Sequence, residues 1–182
     1  MEKDDDQTLL KGSQAGDRAA FTALVTRYQR PIYNAAYRVL GNTEDANDIV
    51  QIVFLRIAER LDDYDPQFRF FSWIYRIAIN ESINMLRHHR REEPLADEVE
   101  LPDAGGAGPE QGYRDRQLSD RVQRALMSMK VEDRVVLTLR HFSELSYRDI
   151  GEVLSLEEKT VKSRIFEARH RLSEMLGELR IR

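Results

Sequence analysis

The 182-residue chain is 33% charged and 41% hydrophobic with a formal net charge of −4, the profile of a globular protein forming one ordinary domain or two small ones. It has no cysteine, which excludes a disulfide framework and a thiolate metal site, and His88, His89, His141 and His170 lack ligand spacing with carboxylates, so neither metal nor cofactor is expected. Polar residues break every apolar run short of the roughly 18 residues of a spanning helix, and the start Met1-Glu2-Lys3-Asp4-Asp5-Asp6 lacks a signal peptide's basic-then-apolar layout; the expectation is a cytoplasmic protein with no membrane insertion.

Apolar residues recur three and four apart with hardly any strand-like alternation, so the fold class expected is all-α. Asp17 is placed to cap a helix carrying Phe21, Leu24, Val25 and Tyr28, which Pro31 interrupts or restarts before Ile32, Ala35, Ala36, Val39 and Leu40. Gly41 and Asn42 end that segment, Thr43 caps the next as far as about Leu61, and Asp65-Pro66 marks a loop. A further helix is expected from about Phe71 to His89. Residues 92–112 hold four glycines, three prolines and seven acids with no Lys or Arg, the composition of a flexible linker that cannot bury enough apolar area to order itself. Residues 1–91 and 113–182 should then each carry a core, the second through helices near 115–129, 132–141, 146–154 and 157–177. Residues 1–91 balance 13 bases with 13 acids and residues 113–182 hold 15 and 12, so the negative charge sits in the linker and does not argue against DNA binding.

In the last third, Leu145-Ser146-Tyr147-Arg148-Asp149-Ile150 opens a short capped helix, Ser155-Leu156 makes a tight turn, and a longer helix follows, which is helix-turn-helix spacing. Val161, Ile165, Ala168 and Leu172 share one face and should pack on Ile150, Val153 and Leu154. The other face presents Thr160, Lys162, Ser163, Phe166, Glu167 and Arg169 to base edges and phosphates of a major groove.

The first domain holds Phe68, Phe70, Phe71, Trp73 and Tyr75 within eight positions, followed by Arg76, Asn80, Asn84, Arg87 and Arg91 on one helical face. Aromatics accept an unstacked base, and an Arg and Asn stripe holds the strand that supplies it. Phe70 and Ile77 are also expected in the core. The preceding helix is apolar nearly all round, through Ile49, Val50, Ile52, Val53, Phe54 and Leu55, so that a face bounded by Asp45, Asp48 and Gln51 is left for a protein partner.

These residues resemble bacterial sigma factors of the extracytoplasmic function subfamily over essentially the whole chain. Phe71-Ser72-Trp73-Ile74-Tyr75-Arg76-Ile77-Ala78-Ile79-Asn80 resembles the family's −10 melting segment, Asp48-Ile49-Val50-Gln51-Ile52-Val53-Phe54 its clamp-gripping helix, and Leu145–Ile150 with Thr160-Val161-Lys162-Ser163-Arg164-Ile165-Phe166 its −35-reading helix-turn-helix. The resemblance implies a non-enzymatic factor that binds core RNA polymerase at its clamp and flap and recognises promoter DNA. Phe70, Trp73, Arg76, Asn80, Asn84 and Arg87 would take the −10 strand, and Thr160, Lys162, Ser163, Phe166, Glu167 and Arg169 the −35 duplex. Asp45, Asp48, Gln51, Ile52 and Phe54 would contact or shape the polymerase-facing helix. An anti-sigma factor is expected as a partner because the family usually has one. Two positions depart from the family pattern: Ile52, where Glu commonly follows the clamp-helix Gln, and Glu167, where a base is frequent and a carboxylate accepts from cytosine N4.

A helix-turn-helix regulator with a sensory or dimerisation domain would share the C-terminal half but not the aromatic cluster and Asn80 stripe. A small phosphotransfer or nucleotide enzyme is disfavoured because Gly105, Gly106 and Gly108 lack the Lys-Ser/Thr of a phosphate loop. The linker acids are expected to imitate RNA phosphates along a positively lined path on the polymerase.

Overall fold

The structure, a computed structural model, describes residues 2–92 and 111–178, with side chains over residues 6–91 and 119–177. The linker expected at 92–112 lies outside these residues except at its ends, which the flanking helices take up. Among the described residues there are eight α-helices and no strand: α1 (Glu2–Gln14), α2 (Arg18–Leu40), α3 (Thr43–Arg60), α4 (Phe70–Glu92), α5 (Gln111–Met127), α6 (Val131–Leu137), α7 (Tyr147–Leu154) and α8 (Glu158–Glu178). A short 3-10 turn follows α3, and a π-helical segment, Thr138–Phe142, extends α6.

Helix α2 starts where Asp17 Oδ1 accepts from the Ala19 and Ala20 amides, as its spacing predicts. It does not break at Pro31, contrary to the expectation from sequence. One lost backbone bond is outweighed because Leu24 before the proline and Ile32, Ala35, Ala36 and Val39 after it are all buried against the same core. The helix ends at Gly41, whose φ of +76° sets a left-handed cap with its amide donating to Tyr37 O at 2.8 Å. Asn42, not Thr43, caps α3, its Oδ1 accepting from Glu44 N at 2.8 Å and Asp45 N at 3.0 Å; Thr43 is the first helical residue. Helix α1 closes the first domain through Leu10 and through Asp6, which accepts hydrogen bonds from Arg27 and Tyr28.

The buried residues of α1–α4 and α5–α8 join in one cluster. Arg134 of α6 is 5% exposed and pairs with no carboxylate among the described residues. It donates to Leu126 O, Met127 O and Met129 O, closing the end of α5, and to Val39 O at the carbonyl end of α2 in the other domain. Burial, then Arg90, lowers its pKa to about 10, which leaves it charged at neutral pH. Beside it Arg38 of α2 donates to Gln123 Oε1 at 3.0 Å and Ser119 Oγ at 3.2 Å and stacks 4.4 Å from the Phe142 ring. Gln123 returns a bond to Tyr37 O at 3.2 Å. Met127 fills the space over Gly41 so closely that a Cβ there would lie 2.4 Å from its Sδ.

Candidate nucleic-acid and partner-binding surfaces

Ser146 and Asp149 form a reciprocal capping box at the start of α7: Ser146 Oγ accepts from the Asp149 amide at 3.1 Å, and Asp149 Oδ2 accepts from the Ser146 amide at 3.3 Å. The turn into α8 is made by Ser155 with φ of +54° and by the Leu156 amide donating to Gly151 O at 3.0 Å. That turn needs the missing side chain of Gly151, since a Cβ there would meet Leu156 O at 2.7 Å. Val161, Ile165 and Ala168 are buried beneath it with Ile150 and Val153, and Leu172 packs at their edge, so the opposite face of α8 is fixed outward.

On that face Lys162, Ser163, Phe166, Glu167 and Arg169 are exposed, Phe166 at 74%, and Thr160 is half-buried. Lys162 is held by Glu158 at 2.8 Å and lies 5.6 Å from the Tyr147 ring centroid; the hydrogen bond to Glu158 raises its pKa. Glu167 is turned along the helix, paired with Arg171 at 3.2 Å and accepting from Ser163 Oγ at 3.4 Å. Arg171 in turn pairs with Asp133 at 2.6 Å.

Sequence reasoning did not assign the neighbouring hollow of about 300 Å³ lined by Arg140, His141, Glu144, Tyr147, Ile165 and Arg169. The π-helical segment and the left-handed Glu144, with φ of +56°, bring Arg140 and His141 alongside Arg169. Arg140 donates to Leu145 O at 2.8 Å and stacks 4.8 Å from the Tyr147 ring. Partial desolvation of the His141 ring, then Arg169 and Arg140, lower its pKa.

In the first domain Asn80, Asn84 and Arg87 are exposed along α4 and Trp73 is half-buried, tilted against Tyr64 and Phe70 at 5.5 and 5.9 Å. Phe70 is a correction to the expected strand-contacting set. At 3% exposure, edge-on to Tyr28 and Tyr64, it is core, and the ring left open before Trp73 is Phe68, 47% exposed. Arg76 reaches across to the second domain, where it donates to Glu152 O, and Arg69 pairs with Asp149 at 3.5 Å. Arg76, Asn80 and Ile83 face Val153–Leu156 and Arg164 across a gap of about 220 Å³.

On α3, Asp48 and Gln51 are exposed, while Ile52 and Asp45 are half-buried, Asp45 3.7 Å from His89. Phe54, 9% exposed, points inward and shapes the helix from beneath without lying on the open face. That face includes Leu55, 63% exposed, which continues the helical step from Asp48 and Gln51. No group of three metal-ligating side chains occurs among the described residues, and none of their helices is long and apolar enough to cross a membrane.

The two halves match separate family models, sigma-70 region 2 over residues 24–92 and sigma-70 region 4 over residues 119–172. The chain is 34% identical to the ECF RNA polymerase sigma factor SigW of Bacillus subtilis, covering 93% of this chain and 96% of the relative. It is 33% identical to the ECF RNA polymerase sigma-E factor of Escherichia coli strain K12, over 96% and 95% of the two chains. Among solved structures, CnrH in complex with the cytosolic domain of CnrY is similar with a TM-score of 0.76 at 26% identity, covering 96% of this chain and 98% of that one.

Proposed function

Since the chain belongs to the ECF RNA polymerase sigma factors, which support promoter-specific transcription initiation and are not themselves enzymes, we propose that it reads −35 as duplex with α8 and −10 as a melted strand with α4. The observation that carries this reading is the pairing of two differently built polar faces in one chain. The α8 face is a straight groove-sized row of Lys162, Ser163, Phe166 and Arg169, which suits phosphates and base edges of intact duplex. The α4 face sets Asn80, Asn84 and Arg87 beside half-buried Trp73 and exposed Phe68, which suits bases that have left the stack.

The exposed face of α3, with Asp48, Gln51 and Leu55, is the surface for core polymerase, and the polymerase places the protein in the cytoplasm. The boundaries that follow are residues 1–91 for the polymerase and −10 domain, 92–112 for the acidic linker, and 113–182 for the −35 domain. CnrH was solved with the cytosolic domain of CnrY, and an anti-sigma partner of that kind fits this chain.

Run-off transcription with core polymerase on a promoter library tests the reading. RNA should appear only from templates sharing a −35 and a −10 element. Asn80→Ala should lower permanganate reactivity of the −10 thymines while leaving core binding unchanged; unaltered melting would remove Asn80 from the strand-holding role.

A further inference from the structure

Among the α8 side chains assigned to the −35 duplex, Glu167 carries the one carboxylate, and that carboxylate is braced. Its Oε2 pairs with Arg171 Nη2 at 3.2 Å, and its Oε1 accepts from Ser163 Oγ at 3.4 Å, one turn back. Arg171 is itself anchored: its Nη1 donates to Asp133 Oδ2 at 2.6 Å, and Asp133 belongs to α6, which packs on α8, and is only 8% exposed. The guanidinium thus directs one nitrogen to a buried carboxylate of a neighbouring helix and the other to Glu167. An exposed ion pair four residues apart on one helix contributes little to stability. A pair held from a second helix restricts where the Glu167 carboxylate sits.

Placement and chemistry then limit what this group can meet. Ser163 and Glu167 are exposed on the side of α8 away from buried Val161, Ile165 and Ala168. Arg171 offsets the charge that would otherwise repel DNA phosphates. Each carboxylate oxygen has two acceptor positions, and Arg171 and Ser163 occupy one on each, so one on each is left for DNA. An ionised carboxylate cannot donate, so it needs a donor on a base edge. In the major groove guanine and thymine present acceptors. Adenine N6–H2 stands between two acceptors, its own N7 and the O4 of its paired thymine. Cytosine N4–H2 lies at the edge of its pair's pattern, with an acceptor on one side alone.

We propose that Glu167 selects a cytosine in the −35 duplex through its N4–H2, and that Arg171, anchored on Asp133, is the positioning residue for that carboxylate. This rests on the duplex reading of α8 above and adds the base that it selects.

The test is transcription by core polymerase with the full-length chain on barcoded templates randomised over the −35 region. With the parent, one −35 pair should be C·G at about tenfold over each of the other pairs. Glu167→Gln presents a donor and an acceptor that match adenine N7 and N6, so the cytosine preference should be lost and adenine should rise at the same pair. Arg171→Ala should flatten that pair while the other positions keep their ranking, and Arg171→Lys should restore part of the preference; a merely structural Arg171 would lower the yield from all templates alike. Glu167 is exposed, so Glu167→Gln carries the test by itself if the melting curve shows Arg171→Ala unfolded. A Glu167→Gln chain that selects the parent's −35 element overturns the proposal, as does a responding pair that is not C·G in the parent. An unaltered preference in folded Arg171→Ala overturns the positioning role. No template-selective RNA from the parent would overturn the promoter reading itself, and the base assignment falls with it.

Discussion

Replacing Lys162 by alanine tests whether the α8 face meets DNA phosphate, and the structure sets the size of the effect. Lys162 Nζ is exposed near the start of α8 but held 2.8 Å from Glu158, so it must leave that carboxylate to neutralise a phosphate. One phosphate contact contributes about 0.9 to the slope of log K against log salt. Between 50 and 200 mM salt the parent should therefore lose about 3.5-fold more affinity than Lys162→Ala. Glu158→Gln should release the ammonium and strengthen binding in the parent, with a smaller effect once Lys162 is gone, because the two substitutions share one interaction. The assay is fluorescence anisotropy of the holoenzyme on a −35 duplex across that salt range. An unchanged slope, or equal effects of Glu158→Gln in both backgrounds, would show that Lys162 keeps Glu158 in the complex and faces solvent.

Leu55→Glu should weaken binding to core polymerase by about 10- to 100-fold, the equivalent of burying one leucine side chain, with the chain's melting curve unchanged; titration of labelled core polymerase measures it. Ser146→Ala should cost about 1 kcal/mol in urea unfolding, since the Asp149 amide loses its acceptor. His141 has its folded pKa below the unfolded value of about 6.5, so the folded state binds fewer protons in that window; stability rises with pH through it and is lost as pH falls below about 6.5. A phosphate in the Arg140–Arg169 hollow would reverse that shift, so −35 affinity should rise from pH 7.5 to 6.0 in the parent and stay flat in His141→Gln.

The all-α class, the helix-turn-helix and its outward face were legible because they rest on local periodicity and on caps that act within four residues, as at Ser146 and Asp149. What was not legible depends on partners distant in sequence. Helix α1 has Leu9 and Leu10 beside four acids and little periodic signal; it is held by Asp6 reaching Arg27 and Tyr28 about twenty residues on. The continuity of α2 through Pro31 is likewise a tertiary effect. Phe70 and Phe54 carried the right residue type for a contact but the wrong helical phase, and Phe68 and Leu55 one or two positions away carry the exposure instead. The π-helical turn that brings Arg140 and His141 to Arg169 left no mark on the apolar pattern, because Leu137 at the end of α6 and Leu139 in the turn are buried as an ordinary helix would bury them.

The seam and the domain interiors are built differently. Ile32, Ile49, Ile57 and Ile74 in the first domain and Leu126, Leu139, Ile150 and Val161 in the second have no measurable exposure, and exposing any one would cost on the order of 1.5–3 kcal/mol. The seam adds Arg38, Gln123, Arg76 and the Arg134–Val39 bond to that shared cluster, hydrogen bonds that water replaces at a net loss of roughly 0.5–3 kcal/mol each. Arg134 keeps three of its carbonyl partners when the domains part, because Leu126, Met127 and Met129 belong to its own half. The seam also holds the Arg69–Asp149 ion pair, the contact of Met127 with Gly41 and apolar side chains of the one buried cluster that both halves share.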